Sequence, residues 1–525
     1  MPLEYESKLN NQTPPKNIKV LAVLILAILS LLIFSNSMTK PIGRDEHMYC
    51  TGGVLMSQGK MIYRDFSYIA QLPYHPLIYA ALYKVLNTTH YLLVGRLVSV
   101  VCDILVMLCI VAVYYYVFGN FRVWGILFGL CAAVLYVYNP VVDYANGYAW
   151  NNDVVVLCVA LSFLLFIKID PNRKSKKWRI AAIGILLTIA TFMRMTTVVI
   201  EFVFFIMLLN LPAKNFKERF GTVLPFLIAS VVVSIYPIFI IAQAPEAAFI
   251  NIFKIHAINS QWLRQIGIVH GKFDLALKSV TLPGYFVLLI ITAYLTITLV
   301  LLCRKLKIVS GRNALLAAFL PLIFFAFAMS LPTTWRQYFA PPVPFLIIAF
   351  AYPLSFLREL SSRQTLKIPV KTGAALMILG VLVALLTGIN ITKRITASIT
   401  PQAWVPMQIH NIASDIAEKT KEPKLVLTTA PLFALEGGCE IYTEFSTGVF
   451  IYRIADFMSE QEQHITNTVG LKNLAEIVKQ SPPSAIIVGT EPTYFSFLEK
   501  PFESFAGADW KKEVYENGLT TYFKP

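Results

Sequence analysis

Apolar runs recur along this chain at a length that leaves a lipid bilayer as its natural solvent. They cover residues 18–38, 91–118, 123–142, 154–169, 180–192, 196–211, 223–242, 285–303, 314–331, 339–357 and 372–391. A bilayer core takes about 20 apolar residues per helix, and flanking polar turns can complete a shorter run. Inside lipid every backbone N–H and C=O must find its partner within the chain, so runs of this kind become helices. The expectation is a polytopic α-helical membrane protein with about eleven transmembrane helices. Composition agrees, with 56% hydrophobic and only 14% charged residues among 525, far from an ordinary soluble domain. The formal net charge of +15 does not point to nucleic acid, because its lysines and arginines are not gathered on one solvated face. They fall in short clusters between the runs.

Those clusters set the expected orientation. With Lys8, Lys16 and Lys19 on the cytoplasmic side, Arg122 and the basic clusters at 170–179, 212–220, 304–312 and 358–371 fall there too. The opposite side receives 39–90, 143–152, 193–195, 244–284, 332–338 and everything after Thr392. The first run is long and has no small-residue cleavage site, so it reads as a retained signal anchor. Short cytoplasmic loops suit a prokaryotic plasma (inner) membrane. Five cysteines lie in or beside apolar runs, where Cys acts as a small hydrophobe. Cys50 and Cys439 fall outside them; a bridge would need an oxidising compartment, and two unpaired thiols are the expectation.

Composition changes at Thr392, which divides the chain into a transmembrane part, 1–392, and a C-terminal extracytoplasmic α/β domain, 393–525. "PKLVLTT" at 423–429 and "SAIIVGT" at 484–490 are short β-rich runs, each preceded by a helical pattern at 409–421 and 471–480. Asn517-Gly518 within 511–524 marks a hairpin. "EGGCE" lacks the spacing of a phosphate-cradling glycine loop.

Two adjacent carboxylates, Asp45 and Glu46, stand just beyond the first run, opening a segment of helical character that stops near Gly59. Asp45 can cap this helix, with Glu46 favouring its first turn. Alternatively, one carboxylate serves as a general base and the pair recruits a divalent cation. The apolar segment from Leu77 is short for a span and suits an interfacial amphipathic helix. Arg96, Arg194 and Arg336 all fall at the outer ends of runs, where an arginine can also be a simple interfacial anchor. Asp153 opens the fourth run as a cap or a second functional carboxylate. Asp103, seven residues after Arg96, is placed to hold it through an intervening partner. Glu201 has no evident partner, and His256 and His270 show no metal-ligand spacing.

The ordered set Asp45-Glu46, "GKMIYRDF" (59–66), "HPL" (75–77), "GRLVS" (95–99) and "WRQYFAPPVPFL" (335–346) resembles the GT-C class of polytopic glycosyltransferases. Within it the chain resembles glycosyltransferase family 39, whose relatives include protein O-mannosyltransferases and the aminoarabinose transferase of lipid A. Tyr74-His75-Pro76 stands where relatives often carry Lys-Pro-Pro, so a donor-binding lysine is missing there. The resemblance implies an inverting enzyme that moves a sugar from a polyprenyl-phosphate donor to a lipid, glycan or protein acceptor on the outer membrane face. Asp45 would then be the base with Glu46 beside it. Arg96, Arg194, Arg336 and His75 would bind the donor phosphate, which arginine grips in bidentate fashion. Arg64, Asp65, Asp153 and Tyr338 are further substrate or metal candidates, and Asp45, Glu46 and Asp153 a candidate set for a divalent metal ion. The alternatives are a lipid-linked glycan polymerase and a non-catalytic lipid-glycan binding or assembly protein. A transporter would show repeats with matching broken helices.

Overall fold

The computed structural model describes residues 14–170, 176–268, 271–306, 311–362 and 367–525; His270 lies outside them. Every expected span is helical, although 123–142 and 372–391 each break into two helices. Among the described residues seven helices are long and apolar enough to cross a membrane: Lys16–Thr39, Tyr91–Val117, Gly119–Val137, Phe216–Gln243, Pro283–Leu302, Arg312–Ser330 and Arg336–Leu360. A pair bent by 55°, Lys371–Thr387 and Ile391–Ser398, makes an eighth if counted as one span. Three expected spans form shorter helices, Asn152–Ile167, Lys176–Thr191 and Met195–Leu209. Sixteen residues rise about 24 Å, less than the roughly 30 Å apolar core of a bilayer. The chain is a multi-pass membrane protein in which these short helices pack between longer ones.

Four helices carry the argument that follows: α1 (Lys16–Thr39), α2 (Arg44–Ser57), α3 (Tyr74–Leu86) and α4 (Tyr91–Val117). α2 stops where expected, with Gly59 at φ 90° turning the chain in a conformation that costs glycine little. Its "TGG" is a packing device. A Cβ at Gly52 would stand 2.5 Å from the Tyr68 ring, and one at Gly53 2.5 Å from Cβ of Tyr79, so only glycine lets the 59–73 loop and α3 close onto α2. α3 begins at Tyr74, three residues before the expected start, and buries His75, Tyr79 and Tyr83. It ends on Asn87 at φ 45°, a left-handed cap.

Beyond the last membrane helix lies a five-stranded mixed sheet in the order β2-β1-β3-β5-β4. Its strands are β1 (Leu425–Leu427), β2 (Glu440–Ile441), β3 (Ala485–Val488), β4 (Lys511–Val514) and β5 (Thr520–Phe523). β4 and β5 form the expected hairpin, with Gly518 at φ 86° in its turn. β3 is wholly buried at the centre. Helix Val405–Lys419 precedes β1, and a turn of 3-10 helix with helix Leu474–Gln480 precedes β3. β2, inside "GCEIY", is the strand that sequence alone did not suggest.

This C-terminal unit is clasped to the first loop. Ser446 Oγ donates to the carbonyl of Ser67 at 3.0 Å, and Asn467 Nδ2 to that of Asp65 at 3.1 Å. The backbone N–H of Leu92, in the first turn of α4, donates to Glu436 at 2.6 Å. A helix start has N–H groups with no partner of its own, and here a carboxylate from the far end of the chain supplies one. His410 Nδ1 lies 3.3 Å from the same carboxylate and stacks on His90. Cys50 and Cys439 are both buried and unbridged.

Candidate active site

The two neighbouring carboxylates have opposite fates. Glu46 is fully buried and grips Arg96 in a bidentate pair, Nε at 2.9 Å and a terminal nitrogen at 2.8 Å. It also accepts from the N–H of Gly43 at 2.7 Å and of Ala149 at 2.7 Å, which uses the usual lone-pair directions of a carboxylate. The other N–H groups of Arg96 go to the carbonyls of Ser37 (2.7 Å), Lys40 (2.9 Å) and Pro41 (3.1 Å). A guanidinium has five donors, and all five are taken. Arg96, expected as a phosphate ligand, therefore has no donor to offer, and Glu46 has no lone pair for a metal. Together they tie α4 to α2 and to the end of α1.

Asp45 is left free. Glu46, through Gly43, does the capping that Asp45 was expected to do, and among the described residues Asp45 has no hydrogen bond or ion pair of its own. It is half-buried; burial pushes its carboxyl upward against the pull of Arg44 and Arg453, with Glu46 adding to the rise. Tyr49, one turn along α2, and Tyr338 both lie within electrostatic reach of it. Arg194 stacks 4.8 Å over the Tyr338 ring and donates to Asn152 Oδ1. It sits in the break between helices Lys176–Thr191 and Val198–Leu209. Asn151 steadies this corner, donating to Gln71 at 2.6 Å and to the Met193 carbonyl at 3.2 Å.

Five other expected site residues have surroundings of their own. His75 is buried between Tyr49 and Tyr79, and burial pulls its pKa down to about 3, so it is a neutral packing residue with no charge for a phosphate. Arg64 and Asp65 pair with each other at the surface, at 2.7 Å, while Asp65 also accepts the Met61 N–H; they brace a turn. Arg336 stacks 4.8 Å over Tyr144. Asp153 is buried and accepts from Trp150 Nε1 at 3.3 Å. Together with Tyr136, Asn146 and Gln337 it lines a small cavity. Asp103 does not reach Arg96, being held by Asn146 at 2.7 Å and Tyr136 at 3.1 Å. Glu201 does have partners, Thr188 at 2.6 Å, Thr191 at 2.7 Å and Ser230 at 3.2 Å. Among the described residues no three His, Cys, Asp or Glu side chains converge for a metal.

The C-terminal unit adds what the sequence did not suggest. Arg453, in helix Val449–Ala455, lies 4.7 Å over the Trp262 ring and 5.0 Å over Phe450. Arg44 pairs with Glu491 at 2.5 Å and stacks 4.8 Å over Phe495. Glu499 fixes the Glu491 loop by accepting from the N–H groups of Gly489 (3.0 Å), Thr490 (3.2 Å) and Glu491 (3.1 Å). The only signal for Arg453 in the sequence was a cation closing the aromatic run "FSTGVFIYR".

The chain matches no protein-family model and no curated protein sequence. In fold it is similar to ArnT from Cupriavidus metallidurans bound to undecaprenyl phosphate, with a TM-score of 0.60 at 13% identity over 95% of this chain and 97% of that one. It is also similar to the oligosaccharyltransferase AglB from Archaeoglobus fulgidus. The complex of AglB with an inhibitory peptide and a dolichol-phosphate gives 0.50 at 10% identity, over 90% and 70% of the two chains. The complex with Zn and sulfate gives 0.52 at 10%, over 88% and 67%. The polytopic GT-C architecture with a trailing C-terminal unit is thus the fold of this chain.

Proposed function

We propose that this protein is a glycosyltransferase that takes a sugar from a polyprenyl-phosphate donor and gives it to an acceptor hydroxyl or related nucleophile in the cell envelope. The observation that carries the reading is Asp45: a carboxylate without a partner among the described residues, half-buried, with Tyr338 near it and Arg194 over the Tyr338 ring, in a fold whose solved examples hold undecaprenyl phosphate and a dolichol-phosphate. Asp45 takes the proton of the acceptor as it attacks the anomeric carbon, inverting that centre. Arg194, held over Tyr338, meets the phosphate that leaves. The site belongs to the outer face of a plasma membrane, with the N-terminus cytoplasmic and 393–525 a separate outer domain. One similar structure carries zinc and sulfate. Here Glu46 does not fit a metal role, because its two oxygens already accept four hydrogen bonds.

Labelled sugar offered on a panel of polyprenyl-phosphate donors is expected to appear in extracted lipids, glycans or proteins, with polyprenyl phosphate released. Well-folded protein that consumes no donor in such a panel sinks the reading. Arg194→Gln removes a charge-assisted contact to the leaving phosphate and is expected to cut kcat/KM for the donor about tenfold to a hundredfold. An unchanged value would take Arg194 out of the site.

A further inference from the structure

Arg44 and Arg453 share one ring: their guanidinium carbons lie 5.8 and 5.0 Å from the centre of Phe450. Each is held at one end only, Arg44 by Glu491 and Arg453 by Asn259 at 2.8 Å. The Nε of each is buried with no acceptor. Glu491 and Asp45 face the two cations, yet neither reaches the buried Nε donors, and a buried donor left unsatisfied is costly unless an acceptor, best a charged oxyanion, completes it. The donor phosphate is not the natural candidate. It is tethered to a lipid, and Arg194 stands where two membrane helices meet, whereas Arg453 and Glu491 come from the C-terminal unit. Trp262 and Phe495, both buried, wall the same place with aromatic faces.

We propose that Arg44 and Arg453 bind an oxyanion carried by the acceptor, a phosphate or a carboxylate close to the group that receives the sugar. The acceptor is therefore an anionic glycan or glycolipid rather than a neutral one. This rests on the reading of Asp45 as the base, since Asp45 adjoins Arg44 in sequence and faces Arg453 in space. It is separate from that reading in what it requires: binding of an anion, with no chemistry.

The test is binding to the full chain in detergent or nanodiscs, followed by tryptophan fluorescence, because the Trp262 ring is 4.7 Å from the Arg453 guanidinium. Glucose 6-phosphate and glucuronic acid are the two probes, and glucose is the neutral control. One anionic probe is expected to give a saturable change, and which one tells phosphate from carboxylate. Arg453→Gln is expected to weaken it about tenfold to a hundredfold. Asp45→Asn, which removes a negative charge facing Arg453, should bind the anionic probe at least as tightly as the natural protein, and loss of binding in it overturns the inference. Arg453→Lys, which keeps the charge and loses the fork, supplies a second variant should the glutamine form fold poorly; it is expected to bind weakly. Saturable binding of glucose as strong as that of the acids, no binding of either acid, or full binding by Arg453→Gln or Arg453→Lys overturns the inference. A protein that binds an acid yet transfers no sugar sinks only the enzyme reading. One that transfers sugar and binds neither acid sinks only this inference.

Discussion

Asp45→Asn is expected to lower sugar transfer by about 10²–10⁴-fold, the usual worth of a positioned base, in a protein at least as stable as the natural one. The second half follows from the sign of the electrostatics. Burial raises the carboxyl of Asp45 above its ordinary 3.8. A group raised in the folded state gives stability that is fully present below its unfolded pKa and is lost as pH rises through the folded one. At neutral pH the ionised Asp45 is thus a standing cost, and the neutral amide removes it. The same shift moves the acid limb of kcat/KM upward from where an ordinary aspartate would put it, because the base works only when ionised. Activity across pH 4 to 8 and thermal unfolding in one detergent measure both. Full activity in the variant would end the assignment of Asp45 as the base.

For its neighbour the expected result is the reverse. Glu46→Gln leaves Arg96 fully buried without its counter-ion. Breaking such a pair from one side costs about 3–5 kcal/mol, a large part of the margin that holds most proteins folded. The pair joins α2, α4 and the end of α1, so low yield, aggregation and a depressed unfolding temperature are expected before any assay of activity. A stable Glu46→Gln protein lacking only transfer would show that the two carboxylates had been assigned the wrong way round.

That contrast marks how far the sequence could be read. Apolar runs announce helices because their signal is local and strong. The hairpin at Asn517-Gly518 and the end of α2 near Gly59 were legible for the same reason. The roles of Asp45 and Glu46 were not, because Arg96 is fifty residues from Glu46, and a local cap reading has no view of it. Arg96 at a span end looks the same whether its donors face lipid, substrate or the backbone of Ser37, Lys40 and Pro41. His75 and the Arg64–Asp65 pair misled in the same way. Residue type suggested a ligand, while burial denies His75 its charge and self-pairing engages Arg64 and Asp65 with each other. Arg453 was hidden more deeply, since its importance exists only once the C-terminal unit is docked.

The docking has a consequence in time. The chain is made from its N-terminus, and about four hundred residues separate Asp45 from Arg453. Until the last quarter is made and folded, Arg44 has no Glu491 and the first turn of α4 lacks the carboxylate of Glu436. A half-made chain already in the membrane therefore carries Asp45 before Arg453, which faces it, and Glu491, which holds Arg44, have been made.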